Sequence, residues 1–383
     1  SDTLLARVHE TGTILVDAGP RSDAVLTRDR NVPHAALWAV PEGQLVAEVR
    51  YNDGEQIRGV SWSENRALIL ASEAGGAIVE AVNFDGTQER LGSLRFDVGA
   101  IDNNTYIVRT AMDAFTGRWI GFVENNEVWV VEIEHHRLSE PRLLGPHEGS
   151  FVDIVFDPMG RYLASTNWYG DPRFRVWDPT GASPPSVLED PAGMTDGWVG
   201  DFRFSADGSY FHAGFGERVQ PEGWQKGLWL WSVAGDDFRL LRRFDLGKGG
   251  PAVWEAIDPV RGHVVRVDWD RMIRIWPFDA PAGAEPLMVG RGENGQQMWP
   301  IFDPAGRWIA IPGQGLALWP LGRPYPRVLR HAVQSVISVA FAPDGSWFAS
   351  AGGIECVRIW PLGGPIPKPG RVVGKDLASG KFA

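Results

Sequence analysis

Residues 341–360 read FAPDGSWFASAGGIECVRIW. Phe341 leads into Ala-Pro-Asp-Gly, a tight-turn sequence in which Pro presets φ, Asp bonds its own backbone and Gly accepts positive φ. The runs on either side alternate with the period of two that a half-buried strand requires. The stretch therefore predicts a strand, a turn, a second strand, a loop and a third strand ending at Trp360. A weaker fourth strand follows. Working outward, the same turn recurs as FDPMGRYLAS (156–165), FSADGSYFHAG (204–214), FDPAGRWIAIP (302–312) and VHETGTILVDAG (8–19). Looser copies are SWSENRALILAS (61–72), DAFTGRWIGF (113–122) and IDPVRGHVVRV (257–267).

Tryptophans keep phase with these turns. Trp38, Trp129, Trp177, Trp231, Trp276, Trp319 and Trp360 each close a short apolar run, and one gap, between Trp38 and Trp129, is about double the others. Val82, in AIVEAVNFDG (77–86), fills it as a degenerate copy. Eight units of short strands with no helical stretch between them predict an all-β chain, a β-propeller. Eight four-stranded blades in one ring over residues 1–377, with a tail at 378–383, is the preferred arrangement. Seven blades plus one unit of a neighbouring propeller is the alternative. TLLARVHETG reads as the innermost strand of the first unit, and the last outer strand must then come from Val372-Val373.

Composition narrows the function. The chain has 383 residues, 46 Gly, 28 Pro, 18 Trp, a single cysteine (Cys356) and a net charge of −11. One cysteine excludes an intramolecular disulfide framework and paired-cysteine zinc sites. The acidic balance argues against non-specific nucleic-acid binding, which needs clustered Lys and Arg. No apolar run approaches the ~18 residues that cross a bilayer, so a soluble, cytoplasmic chain without a membrane partner is expected.

Trp177-Asp178 is the dipeptide that names the WD-repeat propellers, and residues 341–360 resemble a repeat of that family. The resemblance covers nearly the whole chain. Pro after the strand-ending Trp (Trp276, Trp319, Trp360) is similar to bacterial members found within long multidomain signalling chains. An array that starts mid-pattern at Ser1 is likewise expected to be a fragment of a longer polypeptide. The resemblance implies scaffolding or ligand sensing.

His147, Ser165 and Asp171 could be mistaken for a nucleophilic triad. His147 precedes Trp177 by the same interval, within one residue, as His331 precedes Trp360. That recurrence resembles the family's structural network, in which His, Ser, Asp and Trp lock one blade. Ser350 keeps its place in unit eight, where Glu355 stands nearest to the Asp position. These residues are expected to be structural.

In this blade order the lead-in to the first strand and the loop between second and third strands share one rim. Units four to seven place Trp168, Tyr169 and Arg173, then Arg218 and Trp224 in a loop at 216–227, then Trp269 and Arg271 at second-to-third positions. Lead-ins supply Trp198, Trp254 and Trp299. Trp and Arg clustered on one rim have the composition of binding hot spots. Trp254 and Trp299 occupy the position of Ser338, so burial between blades competes with exposure for both; for Trp198 the two readings are even.

Chemistry elsewhere is sparse. GKGG (247–250) lacks the Ser/Thr and helix of a phosphate loop. His135 and His136, adjacent on a strand, point to opposite faces. Asp268 and Asp270 share a side of a strand but read as a solvated loop end, and Cys356 as buried and inert. No cofactor or metal is expected. The expected function is a non-catalytic, monomeric scaffold or sensor ring that binds a protein or a domain of its parent chain. The competitors are a propeller-fold hydrolase or lyase with Asp153 and Asp201 in a central channel, and a small-molecule sensor.

Overall fold

A computed structural model describes residues 13–18, 23–29, 34–40, 44–52, 56–63, 66–73, 76–95, 110–113, 116–134, 137–147, 150–169, 173–188, 197–219, 223–248, 254–267, 272–281, 284–291, 300–303, 305–312, 316–320, 338–352, 355–362 and 371–373. These residues form eight antiparallel sheets, each a meander in sequence order: 13–50, 56–95, 110–146, 150–188, 197–248, 254–291, 301–320 and 338–373. Six have four strands. The third has five, because Arg137–Leu138 and Arg142–Pro146 share the outer edge of Glu127–Glu134. The seventh has three among the described residues.

Each sheet is apolar on both faces, and each face is covered by a neighbour. Eight clusters of buried side chains result, and every one draws from two successive sheets. One joins Val25, Ala36 and Trp38 of the first sheet to Ala340, Trp347 and Ala349 of the last. The first strands also lie against one another: Gln56–Ser63 against Thr110–Met112, that strand against Ser150–Phe156, and Ser338–Phe341 against Thr13–Ala18. The sheets therefore close on a common axis as a β-propeller.

The marker residues have a consistent place in this packing. Trp38, Val82, Trp177, Trp231, Trp276 and Trp360 each pack in the cluster shared with the preceding sheet of the ring. All six are buried. A buried indole removes some 150–250 Å² from water, which at ~25 cal/mol per Å² makes it a large single contribution to each junction. The junction of sheets four and five is the most aromatic. Phe174 lies 5.5–6.1 Å from the rings of Phe202, Phe211, Trp229 and Trp231.

The chain ends depart from the sequence expectation at one end and follow it at the other. The innermost strand of the first sheet is Thr13–Ala18, paired with Ala24–Asp29. TILVDA is thus the first strand of its sheet and not the second, and TLLARVHETG lies outside the described residues. The physical reason is that residues 24–29, with Ala24, Val25 and Leu26 buried, supply the pairing partner of Thr13–Ala18 immediately downstream. At the other end Arg371–Val373 pairs with Glu355–Pro361, so the last sheet takes its outer strand from its own tail.

A bulge recurs on the outer strands. In sheets one, two, three, five and six the register between third and fourth strands shifts by one, leaving Val46, Leu91, Leu144, Leu241 and Val289 as the extra residues. All five are aliphatic. A bulge bends and twists the strand locally, which lets an outer strand follow the curved wall.

Candidate interaction surface

Two rims of the ring differ in how they are built. The turns between first and second strands form one rim, and buried aspartates tie it together. Asp157 receives Arg161 at 2.8 and 3.0 Å, and Arg161 Nη2 then donates to the carbonyl of Gly208 in the next sheet at 2.9 Å. Asp303 and Arg307 repeat this, with Arg307 donating to the Gly345 carbonyl. Gly208 and Gly345 have φ of 66°, and a Cβ on either would lie 2.6 or 2.7 Å from the preceding aspartate. Asp113 approaches Gly160, and Asp258 approaches Gly306, in the same sense. The sequence marks these aspartates only as turn formers; their reach into the next sheet is a tertiary fact. The Asp157 and Asp303 carboxylates raise the pKa of their arginines further above the ordinary range.

The structural network in sheet four has a definite chemistry. His147 Nε2 is 2.7 Å from Ser165 Oγ, and Trp177 Nε1 donates to the same oxygen at 2.7 Å. Arg175 Nη1 is 2.8 Å from His147 Nδ1. A guanidinium only donates, so Nδ1 accepts and the proton belongs on Nε2. The histidine thus donates to Ser165 and does not remove its proton. Ser165 is fully buried as well, so the geometry is opposite to that of an activated nucleophile. In sheet eight Trp360 Nε1 donates to Ser350 Oγ at 2.9 Å. Sheet one has a version that the His-to-Trp spacing does not reveal: Trp38 Nε1 donates to Thr27 Oγ1 at 2.9 Å. A hydroxyl 10 to 12 residues before the marker Trp is the shared signal. Asp171 and His331 lie outside the described residues.

The opposite rim carries those of the predicted binding residues that are described. Ser165 and Ala213 are equivalent, each five residues after its turn glycine. Among the described residues, the pairing of second and third strands in sheet four ends at Ser165↔Arg175. In sheet five it continues for six further pairs, from Gly214↔Leu228 to Val219↔Gly223. At ~3.3 Å per residue these six pairs add about 20 Å of ladder, although the second strand of sheet four itself continues to Tyr169. Residues 216–227, expected as a loop, are therefore mostly strand. Two ladder-forming segments on either side of Gln220-Pro221-Glu222 zip together and override the loop-like composition. Arg218 and Trp224 are cross-strand partners, and Trp198 pairs with Gly216 on the first strand of the same arm. Trp168 and Tyr169 are likewise strand residues, at the end of Leu163–Tyr169, at the level of Gly216 and Glu217. Trp254 pairs with Val267, two residues lower on its ladder than Trp198, at the level of Asp153. Arg173 is half-buried before Phe174–Trp177. Trp269, Arg271 and Trp299 lie outside the described residues, as do His135, His136, Asp268 and Asp270.

The channel carboxylates do not match in register. Asp153 pairs regularly with Thr166 and accepts the Ile154 N–H at 3.0 Å, whereas Gly200 and Asp201 sit at a register shift between Val199 and Phe202. Cys356 belongs to the strand Glu355–Pro361. Among the described residues no group of three His, Cys, Asp or Glu could hold a metal ion. No helix of the described residues is long and apolar enough to cross a membrane.

Comparison with known proteins accords with this architecture. The family model "WD domain, G-beta repeat" matches residues 139–178 and 325–360. No curated protein is significantly similar in sequence. Among solved structures, the Dos1 propeller superposes with a TM-score of 0.69 at 12% identity, covering 97% of this chain and 96% of that one. Sqt1 of Chaetomium thermophilum gives 0.66 at 14% identity, covering 95% and 98%. Two matched repeats, a hydroxyl–indole lock in each, and the same antiparallel unit carried around a closed ring support a WD-repeat β-propeller.

Proposed function

We propose that the chain is a non-catalytic interaction ring of eight blades over residues 1–377, which docks a protein partner or another domain of its parent chain. The cluster that joins the last sheet to the first supports one ring over seven blades plus a stray unit. WD-repeat propellers generally mediate protein–protein contacts. The observation that carries a specific surface is the arm of sheet five, about 20 Å of extra ladder on one rim. Among the side chains described, the cores that join sheet five to its neighbours include Phe215 and Leu228 at the base of this arm.

Trp198, Arg218 and Trp224 share this arm, and Trp168 and Tyr169 stand at the same level on sheet four. Arg173 and Trp254 extend the surface around the rim, and Trp269, Arg271 and Trp299, outside the described residues, are the further residues that the sequence offers for it. Ladder-paired backbone costs little to order on binding, and indole and guanidinium groups supply the contact energy. The opposite rim, tied by the Asp–Arg–Gly contacts, is the rigid base. A regulatory part of a larger signalling protein is the setting that suits such a ring.

The test is co-purification from cells expressing the full chain, followed by titration of each captured protein with purified ring. Wild type should bind a partner at least tenfold more tightly than a Trp168→Ala, Tyr169→Ala, Trp224→Ala variant of unchanged Tm. Equal binding by both would place the function elsewhere.

A further inference from the structure

The circumference of the ring is not uniform. Of the large apolar side chains that are exposed among the described residues, four lie on the outer strands of consecutive sheets: Leu143, Val187, Leu241 and Leu287, at 44, 45, 47 and 67%. The outer strands of sheets one and two expose instead Gln44, Arg50, Gln88, Glu89, Arg90, Ser93 and Arg95, all polar. Leu241 shows the contrast most sharply. It is the extra residue of the recurring bulge, and its counterparts Val46, Leu91 and Leu144 are buried or half-buried against the junction cores. Only on sheet five does the bulge turn its aliphatic side chain out, among those whose burial is described.

The charge of that strand is also unusual. Asp237–Lys248 (DFRLLRRFDLGK) is the longest outer strand among the described residues and holds four basic residues against two acidic ones, in a chain of net charge −11. Exposed Arg239 and Arg243 stand two residues to either side of Leu241. We propose that the outer wall of sheets three to six binds an extended acidic segment of a partner protein, apolar side chains on the four aliphatic residues and carboxylates on Arg239 and Arg243. A second copy of this chain is a poor occupant. Antiparallel pairing of two such strands about Leu241 would set Arg239 across from the mate's Arg243 twice, a like-charge arrangement that disfavours the pair. The two bulges of this strand, at Leu241 and Leu246, interrupt the ladder and so favour recognition by side chains over strand addition. The wall is separate from the aromatic rim, so this surface stands or falls independently of it.

The probe is a fluorescein-labelled peptide of repeating Glu-Leu-Glu-Ser, titrated against the full chain by anisotropy, with Lys-Leu-Lys-Ser as its counterpart. The acidic peptide should bind, more weakly as salt rises, and the basic one should not. Leu241→Asp, and separately Arg239→Glu with Arg243→Glu, should each weaken binding by about tenfold or more, while Arg95→Glu on sheet two leaves it unchanged. Equal binding of both peptides, no binding of either, or an effect of Arg95→Glu as large as that of the Arg239 and Arg243 pair would overturn the proposal. So would a dimer in sedimentation that Leu241→Asp dissolves. A fall in Tm with Leu241→Asp in a ring that binds no peptide would show the row to be covered within the chain, and would overturn it equally.

Discussion

Replacing Ser165 by Ala removes one oxygen and leaves two buried donors without an acceptor. Trp177 Nε1–H and His147 Nε2–H both end on Ser165 Oγ at 2.7 Å, and all three residues are buried. A buried donor left unpaired costs about 1–3 kcal/mol, so the pair should cost about 2–5 kcal/mol. Ser350→Ala strands one described donor, Trp360 Nε1, and should cost about half as much. Unfolding entropy near 2.1 cal/mol/K per residue over 383 residues makes 1 kcal/mol worth about 1.2 °C in Tm. Scanning calorimetry should then show Ser165→Ala about 3–6 °C below wild type and Ser350→Ala about 1–3 °C below. Ser165→Thr should recover most of the loss, because sheet one already runs this bond through Thr27. A Ser165→Ala protein within 1 °C of wild type would refute the account. So would a threonine variant no better than alanine, since the hydroxyl would then not be what the site requires.

Other variants probe the rest of the ring. Gly345→Ala meets both a φ of 66° and a Cβ position 2.7 Å from Asp303 Oδ1, whereas Gly235→Ala, at φ 59° with nothing within 4 Å, meets the backbone cost alone. Gly345→Ala should therefore lower the urea midpoint more; equal losses would remove the inter-sheet contact from the stability of that rim. Burial, and then Arg203, push the pKa of His212 down to about 3 from 6.5. A histidine kept neutral in the fold withholds a proton that the unfolded chain binds, so stability should fall below pH 6.5 by about 1 kcal/mol per pH unit toward pH 3. His212→Asn should flatten that slope between pH 6.5 and 4.5 in urea titrations, and an unchanged slope would assign the acid sensitivity to other groups. Replacing residues 217–225 by Asn-Gly joins Gly216 to Lys226, which are already cross-strand partners, through a two-residue turn. Tm should move by no more than a few degrees while partner binding is lost; a ring that unfolds would make the arm part of the scaffold.

Much of the architecture is legible in residue spacing alone. A turn such as Asp-Pro-x-Gly is a local event, fixed by φ preferences within four residues, and so FDPMG and FAPDG announce their hairpins without any neighbour. The Trp at the end of each third strand is legible for the same reason, since its spacing from the turn is set by strand length. The arm of sheet five shows in the sequence only as a longer interval, because residues 216–227 contain Gly, Pro and Glu that resemble loop composition. What makes them strand is the ladder that zips Gly214–Val219 to Gly223–Leu228, a pairing decided between two segments and not within either. Thr27 carries only the weak signal of a hydroxyl 11 residues before Trp38, and its role as acceptor is fixed by where Trp38 lies in space.

The repeat, the strand-turn-strand unit and the all-β class belong to the sequence itself, since each follows from period-two patterning and turn chemistry over a few residues. Other features exist only once the chain is folded. Ring closure puts Trp38 into one core with Ala349, more than 300 residues away in the chain. Neighbouring sheets turn Asp157 and Asp303 from turn formers into contacts with the next glycine, and leave Leu241 uncovered where Leu91 is buried. Burial and reach across sheets depend on which surfaces meet, and no local pattern encodes that.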